Sequence, residues 1–167
     1  MIGIDSMVLV YAGLVPRKSN EKSEDIKELS LRAKLLLHMK RRDTIVLPTT
    51  AMAEVLVPVP EEQRGRVVAI LSNMFFVASF DKPSAVIAAD LWARHKKLPP
   101  DLQYKRRHVL KSDAMIIATA KSAGASEFYT HDRNCRALAS LVMTAPSLPE
   151  NDPDDMFLRG DIERGEV

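Results

Sequence analysis

The chain has 167 residues, of which 46% are hydrophobic and 28% charged, the composition of one globular domain with a sizeable core. The net charge of +2 is too balanced to indicate nucleic-acid binding by itself, and an aromatic content of 5% argues against an aromatic base-stacking platform. Cys135 is the single cysteine, which excludes an intramolecular disulfide and a multi-cysteine zinc site and fits a reducing compartment.

The amino-terminal sequence lacks the pattern of a secretory leader. No apolar run approaches the roughly 20 residues that a membrane-spanning helix needs. We therefore expect a cytoplasmic protein without a membrane segment.

The first half of the chain alternates short apolar runs with helical spacing of apolar residues. Thr49 and Thr50 are candidate caps for a short helix that carries Glu54 about one turn from its start. In chain order we predict a strand at 1–5, a helix or turn at 6–14, a polar loop at 16–23, a long helix at 24–42, a strand at 45–47, the Glu54 helix, a helix at 61–72 and a strand at 74–78.

The second half continues this alternation. Asp81 is expected to start a helix over 85–97 with Trp92 in its packed face. Pro99 and Pro100 then open an irregular basic stretch. The later predictions are a helix at 113–123 capped by Ser112 and ended by Gly124, a strand at 127–130, a short helix after Asp132 and a last strand at 141–144.

Alternating strands and helices predict an α/β fold, a three-layer α/β/α sandwich with a mostly parallel central sheet. Residues 1–147 are expected to form this domain, and residues 148–167, rich in Pro, Asp and Glu, an acidic carboxy-terminal tail. In such sheets, sites form at the carboxyl ends of the strands, where loops lead into helices.

Four acidic residues lie where apolar runs meet helix-like segments: Asp5, Glu54, Asp113 and Asp132. A carboxylate beside apolar strand ends is costly unless it is paired, hydrogen-bonded or bound to a cation. Asp113 and Asp132, taken singly, fit ordinary helix capping better than function. Asp5 and Glu54 satisfy no such need, and the four together predict a metal site.

Carboxylate oxygens are hard ligands that suit Mg²⁺ or Mn²⁺, and such sites commonly also bind substrate phosphate. Two ions roughly 4 Å apart can activate water and stabilise a leaving oxygen. Hydrolysis of a phosphodiester is the reaction that this ligand set favours.

Four segments of the chain resemble the PIN-domain nucleases, and most closely the small VapC-like toxins of toxin–antitoxin pairs. The segments are IGIDSMVLVYAGL, LPTTAMAEVL, KSDAMIIATAKSAGA and FYTHDRNCRAL, which together span residues 2–138. The resemblance implies that Asp5, Glu54, Asp113 and Asp132 bind the catalytic metal and that Ser6 and Thr130 help to order the site. This chain has Asn134 where the family often has a further acid.

The resemblance also implies an RNA substrate, an antitoxin protein as a possible partner and a homodimer. The chain would then be a metal-dependent endoribonuclease that hydrolyses RNA phosphodiester bonds, and the resemblance implies the role of toxin in a toxin–antitoxin pair. The alternative is a catalytically inactive RNA-binding or scaffold protein with a PIN-like fold. A phosphoacceptor receiver domain fits poorly, because it needs a central phosphorylatable Asp and a Lys on a late strand.

A run of cations precedes Asp113, and it consists of Lys105, Arg106, Arg107 and Lys111. A charge run of this kind is more commonly a solvated loop. Its position next to Asp113 predicts instead that it holds RNA phosphates at the rim of the site.

Overall fold

A computed structural model describes residues 1–15 and 24–150 of the chain. Short strands are separated by helices, as the sequence predicts, with two α-helices in each connection between consecutive strands. The elements are β1 (Ile2–Ile4), α1 (Ser6–Ala12), α2 (Glu24–Met39), β2 (Ile45–Pro48), α3 (Thr49–Leu56), α4 (Glu61–Met74), β3 (Phe76–Ala78), α5 (Lys82–Arg94), α6 (Arg107–Ser122), β4 (Glu127–Tyr129) and α7 (Arg133–Ala139).

The strands form one sheet in the order β3-β2-β1-β4, and every pair in it is parallel. Gly3 of β1 lies opposite Val46 of β2 on one side and Phe128 of β4 on the other. β1 is therefore central, and all three of its residues are buried, as expected when helices cover both faces of a parallel sheet. The predicted α/β/α sandwich is confirmed.

The core is largely aliphatic. Ile4, Leu9, Leu47 and Ile117 are fully buried, and Phe128 is the largest of the fully buried side chains in the described residues. Among the described residues, none of the helices has both the length and the apolar character that crossing a membrane requires.

Helix α6 begins at Arg107, six residues before the predicted start, so Ser112 lies inside the helix and does not cap it. The cap residue is Arg106, which makes no side-chain capping hydrogen bond. Burial of the apolar face of α6, which includes Leu110 and Ile117, stabilises the start of the helix without a polar cap. The basic stretch is therefore largely the first turns of a helix.

Other boundaries also differ from the sequence predictions. Pro48 precedes α3, and neither Thr49 nor Thr50 provides a side-chain cap, because both lie within the helix. Residues 141–144 do not form a strand, and only Thr144 makes an isolated bridge to Glu127. Trp92 is not packed in the core, since 36% of its surface is exposed.

The first residues of the predicted tail contact the domain. Leu148 is buried, and the Arg32 guanidinium donates to the carbonyl oxygens of Leu148 at 2.8 Å and Pro149 at 2.9 Å. The loop predicted at 16–23 and the rest of the tail, 151–167, lie outside the described residues. The boundary between domain and tail stays a prediction.

Gly3 allows α6 to approach the sheet closely. A Cβ at this position would lie 2.6 Å from Cβ of Ala120 and 2.9 Å from Cδ2 of Phe128. The Ala120 Cβ cannot move without the helix, so Gly3→Ala is expected to destabilise the fold by about 1–3 kcal/mol through overpacking. Urea unfolding measures this effect.

Gly65 in α4 offers a matched control, because nothing lies within 4 Å of a Cβ built there. Gly65→Ala is expected to stabilise the protein by about 0.5–1 kcal/mol, since alanine has the higher helix propensity. Equal effects of the two substitutions would contradict the close approach of α6 to β1.

Candidate metal centre

Asp5 follows β1 directly and lies at the carboxyl end of the sheet. Its backbone N–H donates to the carbonyl of Tyr129, the last residue of the neighbouring strand β4. This pairing brings Asp5 next to the residues that follow β4. The side chain is buried, with only 7% of the residue exposed.

Thr130 connects Asp5 to Asp132. The Thr130 hydroxyl donates to Oδ2 of Asp5 at 2.8 Å, and the same hydroxyl accepts from the backbone N–H of Asp132 at 3.1 Å. Thr130 is fully buried, so these two bonds fix the loop after β4 against the end of β1.

Ser6 connects Asp5 to Glu54. The Ser6 hydroxyl lies 2.8 Å from Oε2 of Glu54 and 3.2 Å from Oδ1 of Asp5. It carries one proton, so the shorter contact, to Glu54, is the better hydrogen bond. The second Glu54 oxygen accepts a hydrogen bond from the Ser112 hydroxyl of α6. Glu54 is thus held between α1 and α6.

Asp113 lies on α6, one residue after Ser112, and its Oδ2 accepts a hydrogen bond of 2.6 Å from the Tyr104 hydroxyl. The pKa of Asp113 is raised to about 7, mainly by burial. The hydrogen bond from Tyr104 lowers this pKa, and the nearby carboxylates of Asp5, Asp132 and Glu54 contribute to raising it. The carboxylates of the three other predicted acids therefore lie close enough to Asp113 to change its pKa.

Asp132 caps α7. Its Oδ1 accepts from the backbone N–H groups of Asn134 at 2.7 Å and Cys135 at 2.9 Å, so the capping role that sequence analysis weighed is real. The side chain is exposed, and its other oxygen accepts no hydrogen bond from a described residue. Capping by one oxygen leaves the second free for a ligand.

The structure places all four predicted acids at one end of the sheet, and none of them forms an ion pair with a described residue. Burial raises the pKa of Asp5, and the neighbouring Glu54 carboxylate adds to this effect. Carboxylates are thus concentrated here, and no cation in the part of the chain that the structure describes pairs with them. A divalent cation fits such a set of oxygen donors.

Within residues 1–15 and 24–150, no three His, Cys, Asp or Glu side chains are arranged to hold one ion directly. The oxygens of Glu54 already accept bonds from serines, and Asp113 accepts from Tyr104. Binding through one or two carboxylates, with water in the other positions, is the usual arrangement for Mg²⁺. Direct ligation by all four acids stays a prediction.

The PIN domain profile matches residues 3–141, a range that contains the four acids. The chain belongs to the PIN domain family. Solved structures with a similar fold include a chain of VapBC2 from Rickettsia felis, solved with a DNA fragment from the promoter. It has 14% identity and a TM-score of 0.60, and the match covers 89% of this chain and 100% of that one.

A second PIN-like neighbour is VapC20 of Mycobacterium tuberculosis, described as a sarcin–ricin loop cleaving toxin. It has 17% identity and a TM-score of 0.53, with 82% of this chain and 94% of that chain covered. No curated protein matches this sequence. The fold is that of a PIN-domain nuclease, and the VapC toxins are among its structural neighbours.

Cys135 lies beneath the acids of the PIN domain and is fully enclosed. Burial raises the pKa of its thiol well above the usual value, and the carboxylates of Asp5, Asp113 and Asp132 act in the same direction. The thiol stays protonated, so Cys135 contributes packing and not a nucleophile.

All four predicted RNA-binding cations, Lys105, Arg106, Arg107 and Lys111, are exposed. The Lys111 ammonium lies 5.5 Å from the centre of the Trp92 ring. These cations and Asp113 are carried by α6 and the loop before it, so the basic surface adjoins the acid cluster of the PIN domain. Their role in RNA binding stays a prediction.

Sequence analysis missed two residues that contact the acids, Tyr104 and Ser112. Ser112 was interpreted as a cap, although its position directly before Asp113 was a usable signal. Tyr104 lies nine residues before its partner in an irregular segment, so no helical or strand periodicity links the two residues. Only the tertiary structure shows this contact.

Proposed function

We propose that the protein is a metal-dependent endoribonuclease and the toxin of a toxin–antitoxin pair. One observation carries this proposal: Asp5, Glu54, Asp113 and Asp132 lie together at the carboxyl end of the sheet, and none of them forms an ion pair with a cation of the described residues. Membership in the PIN domain family supports nuclease chemistry. The VapC-type neighbours support the toxin assignment.

Asp5, Glu54, Asp113 and Asp132 would hold Mg²⁺ or Mn²⁺. When bound, the cation would supply a nucleophile from water and offset charge on the scissile phosphate. Thr130 and Ser6 position the Asp5 carboxylate, and Ser112 positions Glu54.

The other polar groups in this region favour hydrolysis without a covalent enzyme intermediate. The Tyr104 hydroxyl stays protonated, because burial raises its pKa far above the usual range, and so it acts as a donor to Asp113. The Ser6 and Ser112 hydroxyls donate to the Glu54 carboxylate, which is a much weaker base than the imidazole or amine that activates a serine, so neither is set up as a nucleophile.

The partners in this proposal are an RNA substrate and an antitoxin protein. VapBC2 is a complex of this kind, and the sarcin–ricin loop named for VapC20 is a suitable stem–loop substrate to test first. A homodimer and a cytoplasmic location are further parts of the proposal, and both rest on sequence analysis.

The decisive experiment is cleavage of a labelled single-stranded RNA and of a stem–loop RNA by the purified protein. We expect internal cleavage with Mn²⁺ or Mg²⁺ and complete loss of cleavage with EDTA. RNA binding without cleavage under either metal would favour the inactive RNA-binding protein. Cleavage that persists in EDTA would contradict metal dependence.

A further inference from the structure

A cleft of ≈ 450 Å³ lies beside the acid cluster, between the end of α5 and the start of α6. Its volume falls within the range of about 300–1,000 Å³ that is typical of small-ligand sites. Tyr104 lines the cleft and also donates to Asp113, so a single side chain separates the cleft from the candidate metal centre. The other residues used below are Trp92, Lys96, Lys105, Arg107 and Lys111.

The charge of this cleft is positive. Lys96, Lys105, Arg107 and Lys111 line it, and no carboxylate does. None of these four cations forms an ion pair with a residue in the described part of the chain. They are available to an anionic ligand, and the phosphates of a nucleic acid strand are the anions that would reach the neighbouring site.

Trp92 provides an aromatic surface in the same cleft. It is exposed on α5, and its ring faces the Lys111 ammonium at 5.5 Å. A cation–π contact at an exposed site contributes about 0.5–1 kcal/mol. Stacking of one nucleobase on an aromatic side chain contributes about 1–3 kcal/mol. A base can therefore replace the ammonium on the ring, and Lys111 is then free to contact a phosphate.

We propose that this cleft binds one nucleotide of the RNA substrate next to the scissile bond. The base stacks on Trp92, and Lys105, Arg107 and Lys111 contact its phosphates. The inference rests on the proposed ribonuclease function and adds a recognition site to it. The low aromatic content excludes a platform of several rings, whereas a single base needs only one.

The geometry selects unpaired nucleotides. A base within a duplex is already stacked on both faces, so only a single-stranded or flipped-out nucleotide can place its face on Trp92. Arg106 does not line the cleft, whereas Arg107 does. The basic run therefore contains residues that contact this nucleotide and residues that do not.

Trp92 is the only tryptophan in the chain, so tryptophan fluorescence, excited selectively over that of the three tyrosines, reports on this cleft alone. The experiment titrates the intact protein with an eight-nucleotide single-stranded RNA in Ca²⁺, which blocks turnover. A parallel series carries one abasic ribose at each position in turn. We expect the RNA to quench the fluorescence, and we expect the quenching to be lost at one abasic position adjacent to the cleavage site.

Substitutions separate stacking from charge. Trp92→Ala is expected to weaken RNA binding about 10-fold without changing its salt dependence, and Trp92→Phe to retain most of the affinity. Val86→Ala, at an exposed position on the same helix, is the matched control and should bind like wild type. Lys105→Ala with Arg107→Ala should lower the slope of log affinity against log salt by about 1.4.

The possible outcomes are distinct. Two results would overturn this inference and leave the ribonuclease function intact. One is a Trp92→Ala variant that binds RNA with wild-type affinity. The other is a wild-type protein whose Trp92 fluorescence does not change when it binds an RNA that it cleaves. Quenching by RNA that is never cleaved in Mn²⁺ supports the nucleotide site and overturns the proposed function. Absence of both binding and cleavage overturns both.

Discussion

Asp5→Asn is expected to lower RNA cleavage by about 10²–10³-fold, the scale on which removal of one preorganised charge-stabilising group acts. Asp5 is the most deeply buried of the four acids and lies at the centre of the hydrogen bonds from Thr130 and Ser6. Asparagine keeps an oxygen that can accept from Thr130, so the fold should persist. The lost property is the charge that would attract the cation.

Thermal unfolding provides the measurement that accompanies the activity assay. Mn²⁺ is expected to raise the melting temperature of the wild type and to have little effect on Asp5→Asn. Without metal, the variant should be as stable as the wild type or more so, because repulsion with Glu54 is relieved and burial no longer opposes a charge.

Asp43→Asn is the matched control for this substitution. Asp43 is exposed and precedes β2, at the opposite end of the sheet, where it pairs with Lys40. Its loss should change neither cleavage nor the response to Mn²⁺. An Asp5→Asn variant that cleaves RNA like wild type, together with a wild type that gains no stability from metal, would refute the metal site.

In the absence of metal, the protein is expected to become less stable as the pH rises from about 4 to about 7. The pKa of Asp113 is about 7 in the folded protein, whereas an unfolded Asp titrates near 3.8. Between these values the folded state holds a proton that the unfolded state has lost, so stability falls as pH rises. The difference between the folded and unfolded pKa values corresponds to a loss of about 4 kcal/mol in the free energy of unfolding.

Asp113→Asn removes this titration. The variant should gain about 2–4 kcal/mol over the wild type at pH 8 in EDTA, and little at pH 4, where the wild-type carboxyl is protonated in both states. Urea unfolding across this pH range measures the free energies of unfolding of the variant and of the wild type. Asp90→Asn, which removes an exposed carboxylate paired with Arg94, should keep the wild-type pH dependence.

A wild-type protein whose metal-free stability rises from pH 4 to pH 8 would contradict the crowding of buried carboxylates around Asp113. Saturating Mn²⁺ should remove the loss of folding stability at pH 8, because the bound cation favours the ionised carboxylates. The same metal should stabilise Asp113→Asn less than the wild type.

The sequence predicted the central features because they depend on local pattern and on general rules for parallel sheets. Asp5 and Asp132 follow short apolar runs that are indeed adjacent strands, β1 and β4. Parallel strands end at the same edge, so their acids had to lie near each other. Gly124 ends α6 as predicted, with a positive φ of 95°.

The failures have a different physical origin. The start of α6 was misplaced because serine is a strong capping residue and Arg107 lacks such a signal, whereas packing against α5 decides the actual start. Trp92 was expected in the core because tryptophan is mostly apolar, but it lines a charged cleft. Contacts such as Tyr104 to Asp113 depend on tertiary packing and have no local signature.

The pairing of β1 with β4 determines when the acid cluster can assemble during synthesis. Asp5 precedes its backbone and side-chain partners, Tyr129 and Thr130, by more than 120 residues in the chain. A growing polypeptide therefore contains an isolated aspartate for most of its synthesis. The acids meet only after β4 has docked against β1. A ribosome making this protein would thus complete β4 before Asp5 and Asp132 could lie together, and the proposed ribonuclease would stay inactive until then.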